Sequence, residues 1–236
     1  MSPRYAIYAV PDHESLFQRA SRWLGWDCVA AEALHPPSDQ ELANPAGLDI
    51  GNVSATPRKY GFHGTIKPPF SLAEGIDETM LSEQAQKIAT SLEPIVLEGL
   101  EIKALGGFLA LVPRAASMKL NDLAAGFVAG LDHCRRPAGP AELARRRAAG
   151  LTSRQEEMLA TWGYPYVMDE FRFHLTLTGR LDEDNLATAR DMLSEWIGPV
   201  VPTPFRIDRM ALVKEGDDGR FRVVRWLPLG AGKPDC

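Results

Sequence analysis

The chain has 236 residues, 45% of them apolar and 24% charged, with a net charge of −5. Such a chain is long enough for one domain, or two fused half-domains, with a real core. The acidic balance disfavours extended binding to duplex nucleic acid, where phosphate neutralisation dominates affinity. No stretch approaches the roughly 20 apolar residues of a membrane span, and the apolar run after Arg4 is short for a secretory signal. Three scattered cysteines, Cys28, Cys134 and Cys236, point to a reducing cytoplasm and to neither a disulfide frame nor a thiolate metal site.

In chain order, Arg4–Val10 reads as a strand closed by Pro11-Asp12. His13–Leu24 reads as a helix, because Leu16, Phe17, Ala20, Trp23 and Leu24 recur at helical spacing. Residues 27–58 are rich in Pro, Gly, Ser and Asn and read mainly as loop or short helix. Tyr60–Ile66 reads as a short strand, stopped by Pro68-Pro69. Asp77–Leu92 reads as a helix capped by Asp77. Ile95–Lys103 and Phe108–Val112 read as neighbouring strands across Gly106-Gly107. Ser117–Cys134 follows as an amphipathic helix.

Residues 135–154 hold six arginines against one acid, Glu142. Around them, residues 135–165 read as a mostly helical insertion between two halves of a single bilobal domain, 1–236. Phe171–Thr178 is then a strand, Glu183–Trp196 a helix, and Phe205–Lys214 with Arg220–Leu227 a final strand pair. Each half thus offers a strand bearing a histidine, a helix and two further strands. That order predicts an α+β fold built by internal duplication, with mainly antiparallel sheets.

The two histidine strands match. Tyr60-Gly61-Phe62-His63-Gly64-Thr65-Ile66-Lys67 aligns with Phe171-Arg172-Phe173-His174-Leu175-Thr176-Leu177-Thr178. Each has an aromatic three before the His, a Phe immediately before it and a Thr two after. Side chains alternate along a strand, so His63, Thr65 and Lys67 share one face, and His174, Thr176 and Thr178 share another. Phe62, Ile66, Phe173, Leu175 and Leu177 face a core. Two such fronts set against each other make a cleft of two imidazoles and two hydroxyls. One imidazole can accept a proton from an attacking oxygen while the other donates one to a leaving oxygen. The hydroxyls can donate to phosphate oxygens.

Paired His-x-Thr strands 111 residues apart resemble the 2H phosphoesterase superfamily. The longer strings Arg58–Phe70 and Trp162–His174, the segment Gly107–Leu111 and the Arg-rich insertion resemble its DUF1045 branch, described as phosphonate-metabolism proteins. The resemblance implies a bilobal fold in which two pseudo-twofold-related sheets with outer helices flank a central cleft. It also implies metal-free hydrolysis of a small cyclic phosphate or phosphodiester, with His63 and His174 as general acid and base and no cofactor. The phosphonate link makes a ribose cyclic phosphate the first substrate to consider. Gly64 departs from the superfamily pattern, which has a hydrophobic residue there.

Further candidates surround the pair. Lys67 either neutralises a phosphate or is an edge-strand lysine, and Thr178 holds the equivalent place in the other half. Arg172 reaches the cleft rim or makes a surface salt bridge. Tyr60 and Tyr164-Pro165-Tyr166 stack a ribose or base, or simply pack. The Arg-rich segment is a solvated helix face or a lid closing over substrate. The expected partner is a small anionic phosphate compound, with no membrane and no long nucleic acid. Two other functions fit the same residues: RNA-end processing or ligation, and non-catalytic binding of a phosphate ligand. Two histidines without Cys, Asp or Glu at ligand spacing make a poor metal site.

Overall fold

The structure, a computed structural model, describes residues 3–148 and 150–230; Cys236 lies outside them. Strand β1 (Arg4–Ala9) leads into helix α1 (Glu14–Leu24), which ends on the left-handed Gly25. The stretch expected as loop holds a hairpin, β2 (Trp26–Asp27) with β3 (Glu32–Ala33), and two one-turn helices, α2 (Ile50–Val53) and α3 (Ala55–Arg58). Strand β4 (Gly64–Ser71) precedes α4 (Glu78–Ser91), and Asp77 caps that helix by accepting from the Met80 N–H at 2.8 Å. Strands β5 (Ile95–Leu97), β6 (Leu100–Leu105) and β7 (Phe108–Pro113) lead to α5 (Met118–Gly130). The Arg-rich segment forms α6 (Pro140–Arg147) and α7 (Ser153–Trp162). Then come β8 (Leu175–Thr176), α8 (Glu183–Trp196), β9 (Phe205–Ile207), β10 (Arg209–Glu215) and β11 (Phe221–Pro228).

The protein is an α+β fold with antiparallel strand pairing throughout. Seven strands form one sheet in the order β11-β10-β1-β4-β8-β7-β6. The expected duplication is present with an exchange of partners. Strands β6 and β7 follow His63 in sequence but join the sheet where β7 pairs with β8; β10 and β11 follow His174 but reach β4 through β1. The two halves are continuous through one residue pair, Gly64 opposite Leu175. Ile95–Lys103, expected as one strand, is two: β5 pairs with β9, and β6 pairs with β7.

Apolar burial explains the layering. Tyr5, Ile7 and Ala9 of β1 enter the large core, where the inner faces of α1, α4, α5 and α8 meet the sheet. Ala6, Tyr8 and Val10 point the other way, into a smaller cluster with Trp26, Ala211, Val213 and Phe221. This is the period-two alternation of a strand covered on both faces. The buried Trp23 of α1 donates its indole N–H to the Leu177 carbonyl at 2.9 Å, which fixes the chain just beyond β8. No helix among the described residues is long and apolar enough to cross a membrane.

The meeting of the halves explains Gly64. A Cβ there would fall against the ring of Phe173, closer than real Cβ atoms come to any neighbour. The absent side chain is what lets the Phe173 ring lie over β4 at the seam. Gly64→Ala is therefore expected to destabilise the protein by about 1–3 kcal/mol, the range for overpacking a tight core. A smaller residue at 173, as in Gly64→Ala/Phe173→Leu, should recover part of that loss in a urea melt. A fully stable Gly64→Ala single variant would show that the seam is not close-packed.

The sequence places the end of the first histidine strand wrongly, because β4 runs on through Pro68 and Pro69 to Ser71. Two register shifts against β1 accommodate it: Tyr5 faces Phe70, Ile7 faces Lys67 and Tyr8 faces Thr65. Bulges are where prolines are tolerated inside a sheet. The second shift has a chemical consequence, since Ile66 is an extra residue between Thr65 and Lys67. Thr65 lies opposite Tyr8, on the smaller-cluster side. Lys67 lies opposite Ile7, on the large-core side.

Candidate active site

Both histidines sit just before strands, His63 before the long β4 and His174 before the two-residue β8. His63 follows the left-handed turn at Gly61. Their backbone anchoring is the same. The Nδ1 of His63 lies 2.9 Å from the Gly61 carbonyl oxygen, and that of His174 lies 2.8 Å from the Arg172 carbonyl oxygen. A carbonyl only accepts, so each Nδ1 carries the proton and donates it. That tautomer leaves each Nε2 for other work. In each case the carbonyl belongs to the residue two before the His, so the matched flanks yield matched ring orientations.

The remaining Nε2 of His63 is 3.0 Å from the Thr65 hydroxyl. Its ring stacks on Tyr8, with centroids 3.6 Å apart and planes 20° from parallel. Burial, reinforced by the positive potential of His174 and opposed by the Gly61 carbonyl, pushes the His63 imidazole down to about 4. His63 is thus neutral at neutral pH. His174 is half-buried, with its ring centroid 5.8 Å from that of Phe108.

A cavity of about 420 Å³ opens at this point, within the usual range for small-molecule sites. His63, Thr65 and Tyr60 line it from one half, and Thr176 and Thr178 from the other. The Tyr60 ring is 6.1 Å from that of His63. The Thr178 hydroxyl, although at the wall, is committed to backbone: it accepts from the Leu109 N–H at 2.9 Å and donates to the Gly179 carbonyl at 2.8 Å. Its free lone pair aside, it is a clamp between β7 and the loop after β8.

Two expectations need correction. Lys67 does not share the His63 face, because of the bulge at Ile66. It is only 2% exposed and donates to the Val128 carbonyl of α5 at 3.0 Å. The Arg172 guanidinium neither lines the cavity nor makes an ion pair among the described residues. It folds back onto the Asp169 and Phe171 carbonyls at 2.8 and 2.7 Å. What Arg172 gives the site is its own carbonyl, beneath His174.

Other wall residues went unnoticed in the sequence: Tyr8, Arg4, Thr56, Phe108 and Arg180. Tyr8 could have been found from the alternation of β1, which places it opposite the core side. Arg4 carries a bidentate ion pair to Glu215, with its Nε at 2.7 Å. The Arg-rich segment divides. Arg145 and Arg146 reach the cavity wall, as does Tyr164, whereas Arg147 and Arg154 pair with Glu156 and with Glu157 and Asp169 at the surface. Tyr166 is exposed and meets Tyr164 edge-on. No group of three His, Cys, Asp or Glu among the described residues gathers as a metal site would.

Fold and site together define an α+β protein of antiparallel strands with two carbonyl-anchored histidines: His63 lines the cleft, and His174 does not line it but lies beside its wall residue Phe108. The chain belongs to the DUF1045 family, described as a protein of unknown function, whose family model matches residues 65–222. Two curated relatives are similar. One, from Janthinobacterium sp. (strain Marseille), is named ribose 1,5-bisphosphate phosphokinase PhnN; it is 35% identical over 228 residues, 94% of this chain and 49% of the relative. A protein of the same name from Laribacter hongkongensis (strain HLHK9) is 33% identical, over 95% of this chain and 52% of its own length. The chain therefore spans about half the length of the curated relatives it matches. Among solved structures, E. coli LigT complexed with NADP+ matches with a TM-score of 0.47 at 14% identity, covering 98% of this chain and 99% of LigT. TT0787 of Thermus thermophilus matches with a TM-score of 0.45 at 15% identity, covering 98% of this chain and 99% of that protein.

Proposed function

We propose that this protein hydrolyses a small cyclic phosphodiester of a ribose, with His63 as general base and His174 as general acid. One observation carries the reading: both imidazoles are held by backbone carbonyls at Nδ1, so that each Nε2 faces away from the backbone, that of His63 toward the Thr65 hydroxyl. The environment divides the roles. His63 is buried and neutral, so its Nε2 takes the proton of the attacking water. As the new P–O bond forms, the ester P–O bond opens, and protonated His174 gives its Nε2 proton to the departing alkoxide. The product is a ribose phosphate monoester, and the two histidines have exchanged protonation states. Thr176 donates to a non-bridging oxygen, where charge grows in the transition state, and Thr65 joins it once substrate turns its one O–H away from the His63 Nε2. The 2H resemblance and the ribose bisphosphate named for the relatives support a phosphorylated ribose as substrate class.

Proton traffic also predicts the preferred ester. Opening a cyclic diester needs a base for water and an acid for an alkoxide, which two imidazoles supply. Turnover of ribose cyclic phosphates should exceed that of simple monoesters, and it should survive exhaustive EDTA treatment. A panel assay of both ester types, with and without chelator, tests this. Faster monoester turnover, or loss on chelation with recovery on added zinc or manganese, would place the protein in another class.

Charge alone does not set that preference. Besides His63, Arg145 and Arg180 stand at the cavity wall without an ion pair among the described residues. The surroundings are more cationic than one diester charge requires.

A further inference from the structure

Beside the histidine cleft lies a second, smaller pocket of about 70 Å³. The two cavities share Pro68, Pro69, Arg146 and Tyr164, so they adjoin. Lys67, Arg135, Arg136 and Arg146 line the small pocket. Two carboxylates offset part of this charge: Asp132 pairs with Arg135 at 2.9 Å, and Glu142 pairs with Arg146 at 2.7 Å. Lys67 and Arg136 make no ion pair among the described residues, which leaves a surplus of two positive charges.

The pocket is built into the fold. The Arg136 N–H donates to the Ser71 carbonyl at 2.8 Å, and the Ala73 N–H donates to the Cys134 carbonyl at 2.9 Å. These bonds hold the start of the Arg-rich segment along the end of β4. Lys67, 2% exposed, spends one ammonium donor on Val128 and has two left. The Nε of Arg146 is buried and has no hydrogen-bond partner. A buried donor without a partner costs stability, as does a buried ammonium without an anion. Burial accordingly holds the Lys67 ammonium down to about 8, with Asp132 pulling it up and Arg135 pushing it further down.

From this pocket we infer a subsite for a second phosphate: the substrate is a ribose cyclic phosphate that also carries a terminal phosphate monoester, held by Lys67, Arg136 and Arg146 while the cyclic ester lies at the histidines. A monoester carries about −1.5 to −2 at neutral pH, which matches the surplus charge. It also offers acceptors for the free Lys67 and Arg146 donors. Pro68 and Pro69, shared by both cavities, are the floor a ribose would cross.

The inference rests on the phosphodiesterase reading, and its test separates the two. Steady-state kinetics are compared for a ribose cyclic phosphate with and without a phosphate on its 5-hydroxyl. Charge-assisted hydrogen bonds to one phosphate should raise kcat/KM roughly 10–100-fold for the phosphorylated form, mainly through KM. Arg136→Gln, at an exposed position, and Lys67→Met should each shrink that ratio. Equal kcat/KM for the two forms, or a ratio that neither variant changes, overturns the subsite. If neither form is turned over, the phosphodiesterase reading fails, and the subsite is judged by binding alone. Calorimetric titration with ribose 5-phosphate should then show binding that Arg136→Gln weakens; no binding, or equal binding by the variant, rejects it.

Discussion

Replacing either histidine, His63→Ala or His174→Ala, is expected to lower kcat/KM on a ribose cyclic phosphate about 10²–10⁴-fold, the usual worth of a positioned acid or base. The double variant should be barely slower than either single one, because the two groups act in one proton relay. Circular dichroism and a thermal melt check that each variant is folded. The pH profile gives an independent signature. His63 must be neutral to accept a proton, and burial holds it down to about 4, so the acidic limb of kcat/KM should fall near pH 4 and not near 6.5. The same shift acts on stability. Between pH 6.5 and 4 the unfolded chain takes up a proton at His63 that the folded chain refuses, so stability declines as pH falls through that window. In His63→Ala that part of the decline should vanish. Near-native turnover by either single variant would remove the two-histidine mechanism.

Thr65→Val and Thr176→Val are expected to reduce kcat with little change in melting temperature. Valine keeps the β-branched shape a strand favours. It deletes a hydroxyl that lies 3.0 Å from the His63 Nε2 in one half and at the cavity wall in the other. The loss should be about 1–3 kcal/mol, roughly 5–150-fold per position, where the hydroxyl donates to developing charge. Thr65→Ser and Thr176→Ser should recover most of it. If both valine variants hydrolysed the substrate at the native rate, the threonines would be strand residues and nothing more.

The sequence made much of this legible because a duplicated pattern is read twice. His63 with Thr65 and His174 with Thr176 carry the same flanks, and those flanks fold into the same carbonyl-to-Nδ1 anchor. Period-two alternation located the apolar backs, Phe62 and Phe173, in the large core. The failures share a cause: alternation holds only while the strand is regular. One extra residue at Ile66 moved Lys67 to the other side, and no local signal marks which residue bulges. Arg172 was in phase with His174, yet a long flexible side chain can satisfy itself on nearby carbonyls. Thr178 fell at the right wall, but a hydroxyl near an unpaired N–H joins backbone first. The positions of Arg145, Arg146 and Arg180 depend on tertiary docking, which no periodicity reports.

The partner exchange between the two halves bears on how the chain folds during synthesis. Tyr5 of β1 pairs with Lys214 of β10. Strand β1, which flanks the strand carrying Thr65, therefore gains its outer neighbour β10 only when nearly all the described residues exist. Contacts this distant in sequence form late and slowly, since loop closure must precede them. Until then β1 and β4 have an edge without its final neighbour, which is where partly made sheet proteins associate wrongly. A nascent chain stopped before β10 should be protease-sensitive across β1 and β4. Addition of the last hairpin should convert the whole sheet to a resistant state in one step.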